Sequence, residues 1–356
     1  MPDYLRGVDA PEFYAKQDSK SIVIDDGEVI VLWDGSNAGE ILISKKGVLA
    51  STMTMLQFDE TQIDKTYFGY SFQNLEYILK AKTAGSGIPH ADKGVVSKLE
   101  FHKPTLPEQS AIAAILSKVD EAIASVQASI SAAERLKKSL MQNLLTGRMK
   151  PDGTLRKEDE FYVDEKFGRV PVGWEIKRLG HLFNIKAGGD LQEQYYSDVR
   201  DEQHIYPIFS NTIVNEGLYG YTSNPRVYAK ESLTIVGRGV GVGHIEIRQG
   251  NYDAIIRLIS LIPKEDNIVD CLYVRYYVGQ FVHFAIESTG VPQLTCPRVF
   301  STKIIIPTDV KEQSKIGEMI HSFDVYVKEK QNKIAVLERL KKSLMQNLLT
   351  GKVRVK

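Results

Sequence analysis

Two cysteines, two tryptophans and seven histidines are all that these 356 residues contain of the side chains most often recruited for disulfides, redox chemistry and metal binding. Cys271 and Cys296 match neither a metal-ligand spacing nor a disulfide framework, which fits a reducing cytoplasm and makes each a candidate buried apolar residue. The histidines include no close pair at helical ligand spacing. No apolar run is long enough to cross a bilayer and no secretory leader opens the sequence, so the expectation is a cytoplasmic protein with no membrane partner. An excess of one charge is missing too, since 45 basic residues balance 45 acidic ones. Proteins that hold DNA mainly by neutralising phosphates carry a basic balance, so the neutral total argues against a strong free-standing nucleic-acid binder.

Catalytic patterns are equally scarce. Gly237-Arg238-Gly239-Val240-Gly241-Val242-Gly243 is dense in glycine, yet it fails the dinucleotide-binding spacing in every frame, and no Gly-Lys-Ser/Thr of a phosphate loop is present. A glycine turn between strands, letting backbone approach a large ligand, is the better account. Asp152 followed by Glu175 and Lys177 mimics an acidic nuclease site, but Asp152 falls in a polar stretch with no equivalent in the first half of the chain. No Asn-Pro-Pro-Tyr loop of an amino-methyltransferase occurs. The sequence therefore offers no convincing catalytic constellation and no metal-ligand pattern.

What the sequence does contain is one stretch written twice. Glu134–Gly147 reads ERLKKSLMQNLLTG, and Glu338–Gly351 repeats the same fourteen letters at an offset of 204. The offset holds further back, where Glu108, Gln109 and Ser110 match Glu312, Gln313 and Ser314. Ile112, Leu116, Val119, Ile123, Val126, Ile130, Ala133, Leu136, Leu140 and Leu144 recur at steps of mostly four and three, as do Ile316, Ile320, Phe323, Val327, Ile334, Leu337, Leu340, Leu344 and Leu348. That spacing keeps one apolar stripe on one helical face and predicts two helices, each roughly 60 Å long, that pair with each other. Gly147 and Gly351 are placed to close them in the left-handed conformation. Core packing does not require identical solvent-facing letters, so the repeated Lys, Gln and Asn positions suggest two copies of one partner about an approximate two-fold axis, with a recent duplication that needs no partner as the alternative.

The rest of the chain follows the repeat. Ile22–Ile24, Val29–Trp33 and Glu40–Ile43 read as strands between turns, and Tyr67–Lys80 as a helix with aromatics on one face. Residues 171–306 show a similar order, with a helix around Cys271–Ile286. At the same offset of 204, Gly35 falls on Gly239, Gly39 on Gly243 and Ile41 on Ile245, and at 203 Gly87-Ile88-Pro89-His90 lies over Gly290-Val291-Pro292-Gln293. The chain is thus read as a tandem duplication of the α+β class. A first domain spans 1–105, a helix 106–148, a polar linker 149–169, a second domain 170–307 and a helix 308–356. Val170–Tyr206 has no upstream counterpart, so the first domain is expected to lack about 35 residues that the second has.

Polar side chains in the predicted turns are of the types that read base edges or hold phosphates. They are Arg6, Ser36, Asn37 and His90 in the first domain, and Asn211, Arg238, Gln293, Thr295 and Arg298 in the second, and Lys177, Arg178 and Lys186 join them as DNA-binding candidates.

The ordered combination resembles the specificity subunit of type I restriction-modification systems. It comprises a domain ending Thr289-Gly290-Val291-Pro292-Gln293-Leu294-Thr295, a Pro-rich approach to Glu-Gln, a long helix closing in Leu-Leu-Thr-Gly, and Val170-Pro171-Val172-Gly173-Trp174-Glu175 opening the next domain. The resemblance covers nearly the whole chain. It implies two target-recognition domains held apart by two antiparallel helices, each domain reading one half of a split double-stranded DNA sequence. It further implies a chain with no catalysis and no cofactor of its own, and two methyltransferase subunits docked on the repeated helical segments, with S-adenosylmethionine, ATP and Mg on partner subunits and cleavage supplied by restriction and translocase subunits. The docking surface would be Arg135, Lys137, Lys138, Gln142, Asn143 and Leu144, with Arg339, Lys341, Lys342, Gln346, Asn347 and Leu348. Weak, salt-sensitive DNA binding is expected of the isolated chain. The short first domain departs from the family pattern, and a misplaced start, a truncated gene copy or a domain that folds without the segment are the alternatives. From a different class, the alternative is a helical scaffold whose globular domains bind protein.

Overall fold

The computed structural model of the protein describes Leu5 and residues 21–82, 89–239, 241–265, 267–284 and 293–355. It is an α+β structure with two long helices, α3 (Leu106–Leu145) and α7 (Val310–Leu348). The chain divides into two compact units, Met1–Ile130 with Glu329–Lys356, and Ser131–Lys328. The division falls inside both helices, so each unit owns part of α3 and part of α7.

In the first unit β2 (Val29–Leu32) lies between β3 (Ile41–Ile43) and β5 (Met53–Met55), both antiparallel to it, and β1 (Val23–Ile24) pairs with β4 (Gly47–Val48). β2 reads Val-Ile-Val-Leu and is buried throughout because both its faces are covered. Val29 and Val31 meet Phe68 and Phe72 of α1 (Lys65–Ala81), while Ile30 and Leu32 pack with Ile24, Leu42 and Met53. Helical spacing turns Tyr67 and Tyr70 of α1 the other way, onto Ile112, Ala113 and Leu116 of α3 and Leu348 and Leu349 at the end of α7. A short α2 (Lys93–Val96) precedes the return to α3.

The second unit is larger. β6 (Phe161–Asp164) and β7 (Gly168–Pro171) form a hairpin, and β8 (Trp174–Arg178) leads through α4 (Leu179–Leu182) to β9 (Phe183–Ala187). β10 (Tyr196–Ser197), β11 (Tyr206–Phe209), β12 (Leu218–Thr222) and β15 (Asp253–Ala254) make one four-stranded sheet, ordered β10-β12-β11-β15. β13 (Glu231–Ile235), β14 (Ile245–Gln249) and β16 (Ile259–Pro263) join β9 in another, ordered β14-β13-β16-β9 and antiparallel throughout. α5 (Cys271–Phe281), α6 (Cys296–Ser301) and β17 (Lys303–Pro307) complete it, with β17 antiparallel to β8. Its main core joins Leu144 and Leu145 of α3, Tyr273 and Val274 of α5, and Ile316 and Ile320 of α7.

Buried glutamines tie helix to domain identically in both units. Gln109 accepts from the Asp64 amide at 2.8 Å and donates to the Pro104 carbonyl at 2.9 Å, and Gln313 makes the same bonds to Asp270 and Pro307 at 2.8 and 2.9 Å. Asp64 and Asp270 cap α1 and α5 by accepting from Tyr67 and Tyr273 amides. A neutral side chain that completes three backbone groups at a crowded junction explains why Glu-Gln-Ser opens both repeats.

Several sequence expectations change. The stripe is buried where a domain helix covers it, yet Leu136 and Leu340, one repeat apart, are 52% and 46% exposed. Cys271 is buried, and burial pushes its thiol up, whereas Cys296 is only part-buried. The expected linker is an ordered fold-back. Its Arg156 donates to the Gly147 carbonyl at 2.8 Å and pairs with Glu312, and Lys150 pairs with Glu160. Gly147 itself has φ 68°, and a Cβ there would stand 2.2 Å from Pro171, so both conformation and crowding demand glycine.

Candidate nucleic-acid interface

The turn after β13 is built on the same plan as the turn after β2. Gly39 donates to the Leu32 carbonyl at 2.8 Å and Gly243 to Val236 at 2.9 Å, while Ala91 donates to Trp33 and Leu294 to Gly237, each at 2.8 Å. Gly35 and Gly39 have φ of 104° and 85°, and Gly239 and Gly243 have 87° and 91°. Left-handed backbone recurs at both glycines of each loop, and glycine adopts it without steric cost. The loop brings its first residue against the segment that precedes α2 or α6. Asp34 thereby bridges His90 in the first unit, and Arg238 bridges Gln293 in the second.

The two units place different chemistry on this common frame. His90 Nδ1 and Asp34 Oδ1 lie 2.6 Å apart, next to exposed Ser36 and Asn37. In the second unit exposed Arg238 stands beside Gln293, a set able to meet guanine or adenine edges through paired hydrogen bonds. Around it run Ile256 and Arg257, both exposed and both left-handed, at φ 53° and 62°. An isoleucine in that conformation costs on the order of 1–2 kcal/mol, and Ile256 is 53% exposed, so burial of its side chain does not offset the strain. The pair is held by its neighbours. Ile256 donates to the Gly189 carbonyl at 2.9 Å and Arg257 to Gly188 at 3.2 Å. Beneath it Arg226 grips buried Asp253 through two bonds of 2.6 and 2.8 Å.

Asn211 moves from reading to holding. Its carboxamide donates to the Ile256 carbonyl and accepts from Gly237 at 2.9 Å, so both ends serve backbone. Lys186 stays exposed on β9, two residues before Gly188, and Thr295 follows Gln293 at the start of α6. Arg298 lies within α6, and its carbonyl accepts from Ser301 and Thr302. Lys177 and Arg178 stand on another sheet, opposite Ile304 and Lys303, with Lys177 paired to Glu175 at 2.9 Å. Asp152 caps its own turn by accepting from the Thr154 amide at 2.9 Å. Arg6 lies outside the described residues. Arg257 was missed because nothing in an Ile-Arg dipeptide announces left-handed backbone.

The repeated helical surface also divides. Lys137 is turned inward, pairing with Asp324 and lying 5.4 Å over the Tyr276 ring, and Lys341 does the same with Asp120 and, at 5.2 Å, Tyr70. Leu144 and Leu348 are core residues. These four are corrected from docking to structure, because each already has its partner within its own unit. Asn143 and Asn347 donate back to Ser139 and Ser343, one turn earlier. Arg135, Lys138 and Gln142 remain exposed, as do Arg339, Lys342 and Gln346, and the exposed Leu136 and Leu340 join them. Among the described residues no group of three or more His, Cys, Asp or Glu side chains is arranged to hold a metal ion, and no helix is long and apolar enough to cross a membrane.

Comparison with known proteins agrees with this geometry. The chain is similar to the MjaVIII type I restriction enzyme specificity subunit of Methanocaldococcus jannaschii, 29% identical over 371 residues that cover 99% of this chain and 85% of that protein. The MjaIX specificity subunit of the same organism is 22% identical, with 92% and 78% covered. The crystal structure of the type I restriction-modification S subunit from M. genitalium shares the fold at a TM-score of 0.62 and 17% identity, covering 91% of this chain and 83% of that one. The model of the type I restriction modification DNA specificity domain matches residues 11–135 and 171–339, one match for each copy of the duplication, and the chain belongs to that family.

Proposed function

We propose that this chain is the DNA sequence-recognition subunit of a type I restriction-modification complex, in which each unit reads one part of a split target. The observation that carries the reading is the shared loop frame, with Asp34 and His90 at one copy and Arg238 and Gln293 at the other. A frame kept constant while its outward side chains change is what two readers of two different base sequences require. Strained backbone at Ile256 and Arg257, held by a second layer of hydrogen bonds, is a rigid presentation of an apolar and a cationic group at the same rim.

The chain supplies recognition and no chemistry. Adenine methylation, with S-adenosylmethionine, comes from two methyltransferase subunits docked on the exposed repeated surface of α3 and α7, and ATP- and Mg-dependent cleavage from restriction and translocase subunits. Neutral net charge is compatible with this division of labour, because partners that clamp the duplex supply much of the phosphate attraction. The test is co-expression with a cognate methyltransferase subunit followed by mapping of methylated adenines across the host genome. A split motif with two defined halves supports the reading. An assembled complex that leaves no sequence-specific methylation overturns it.

A further inference from the structure

The two copies of the loop frame put groups of opposite character at the same two places. In the second unit the bridged residues are Arg238 and Gln293, both of which carry hydrogen-bond donors and need no further group to fix their protonation. In the first unit they are Asp34 and His90. A carboxylate at a rim that meets DNA needs a reason, since phosphates repel it and it can approach a base only by accepting from an amine.

The geometry supplies the reason. Gly35 donates to the Pro89 carbonyl at 3.1 Å and Ala91 to the Trp33 carbonyl at 2.8 Å, one on each side of the Asp34–His90 bridge. Backbone bonds on both flanks hold the two side chains against each other, and Oδ1 and Nδ1 meet at 2.6 Å. An ionised carboxylate has no proton to give, so Nδ1–H donates. Asp34 is the ring's one hydrogen-bond partner among the described residues. The ring is also the more exposed member, at 59% against 39% for the carboxylate. With Nδ1–H engaged, the neutral imidazole carries its lone pair on Nε2, the atom left for a ligand.

We propose that Asp34 is a positioning residue and His90 the reader it serves. The carboxylate fixes the tautomer, Nε2 faces the major groove as an acceptor, and the first unit selects adenine, through N6, or cytosine, through N4, at one position of one strand. Guanine O6 or thymine O4 at that position would set acceptor against acceptor. The proposal rests on the DNA-recognition function above and adds to it the atom that reads and the class of base edge that is read.

The test uses the complex assembled with methyltransferase subunits and duplexes carrying each base in turn along the first half-site. Binding is measured at about pH 8, where an ordinary imidazole is neutral. The expected result is one position at which adenine or cytosine binds about tenfold more tightly than guanine or thymine. His90→Ala abolishes that preference. Asp34→Asn, whose amide can donate to Nδ1 as well as accept from it, admits the other tautomer and weakens the preference at the same position. Added to His90→Ala, Asp34→Asn changes nothing further, because the carboxylate acts only through the ring. A guanine preference at the His90-dependent position overturns the proposal, since Nε2 would then be donating. So does a further loss from Asp34→Asn in the His90→Ala background, which would mean that Asp34 meets a base itself. A sequence-specific complex indifferent to His90→Ala overturns this proposal alone, whereas an assembled complex that prefers no sequence overturns the recognition function and this proposal with it.

Discussion

Lys341 reaches Asp120 at 2.7 Å and lies over Tyr70, and the Tyr70 hydroxyl donates to the same carboxylate at 2.7 Å. Lys137, Asp324 and Tyr276 repeat the triad in the other unit. One lysine of each repeated helical segment therefore fastens the two long helices to each other and to the domain helix beside them. This use of the repeated letters needs no partner.

Replacing Lys137 or Lys341 by alanine should then destabilise the protein by about 1 kcal/mol each, the sum of a half-exposed ion pair and a cation–aromatic contact. Lys138→Ala and Lys342→Ala, one position along and exposed, should leave stability within about 0.5 kcal/mol while weakening assembly with methyltransferase subunits. Urea unfolding and co-purification, applied to both pairs, separate the two roles. Equal losses of stability from both pairs would contradict the division.

The same triad sets an acid limit. Burial pushes the Asp324 carboxyl up, but hydrogen bonds from Lys137 and Tyr276 and the charges of Lys137 and Arg275 outweigh it and hold the group below its ordinary value. A carboxylate depressed in the folded state stabilises it above the unfolded value of about 3.9, and that contribution disappears as pH falls through the folded value. Asp324→Asn should therefore be less stable than the parent at neutral pH, with the gap closing below about pH 4. Thermal unfolding at a series of pH values measures the gap directly.

The long helices were legible in sequence because apolar spacing reports which face of a helix is dry. It does not report how far along its length that face is covered, and Leu136 and Leu340 are exposed on a stripe that reads as continuous. The loop frame was legible through Gly35, Gly39, Gly239 and Gly243, since left-handed backbone leaves a glycine behind. Lys137 was misread because Tyr276 and Asp324 lie far off in sequence. Ile256 and Arg257 left no trace, because tertiary bonds from Asn211 and Gly189, rather than residue type, impose their conformation.

Ile256 offers a trade between stability and recognition. Ile256→Gly removes a strained β-branched residue at φ 53° and should raise stability by about 1 kcal/mol, less what glycine loses in chain entropy. If the strain exists to present an apolar side chain at the rim, the same variant should lose DNA affinity in the assembled complex. Unfolding and DNA-binding measurements on one preparation decide the matter, and a variant that is both more stable and equally tight would show that Ile256 has no part in binding.

The bridge between Arg238 and Gln293 makes the sharpest prediction about specificity. Arg238→Ala removes a side chain able to bond guanine twice, so discrimination at one base position should relax by about 1–3 kcal/mol while the rest of the motif persists. His90→Ala, at the place Gln293 holds in the second unit, should relax the other half of the motif and leave this one unchanged. Methylome sequencing of the two variants reads both halves at once. Loss confined to one half per variant assigns each unit to its half-site; uniform weakening across both halves would mean that these residues hold phosphates, whose contacts carry no sequence information.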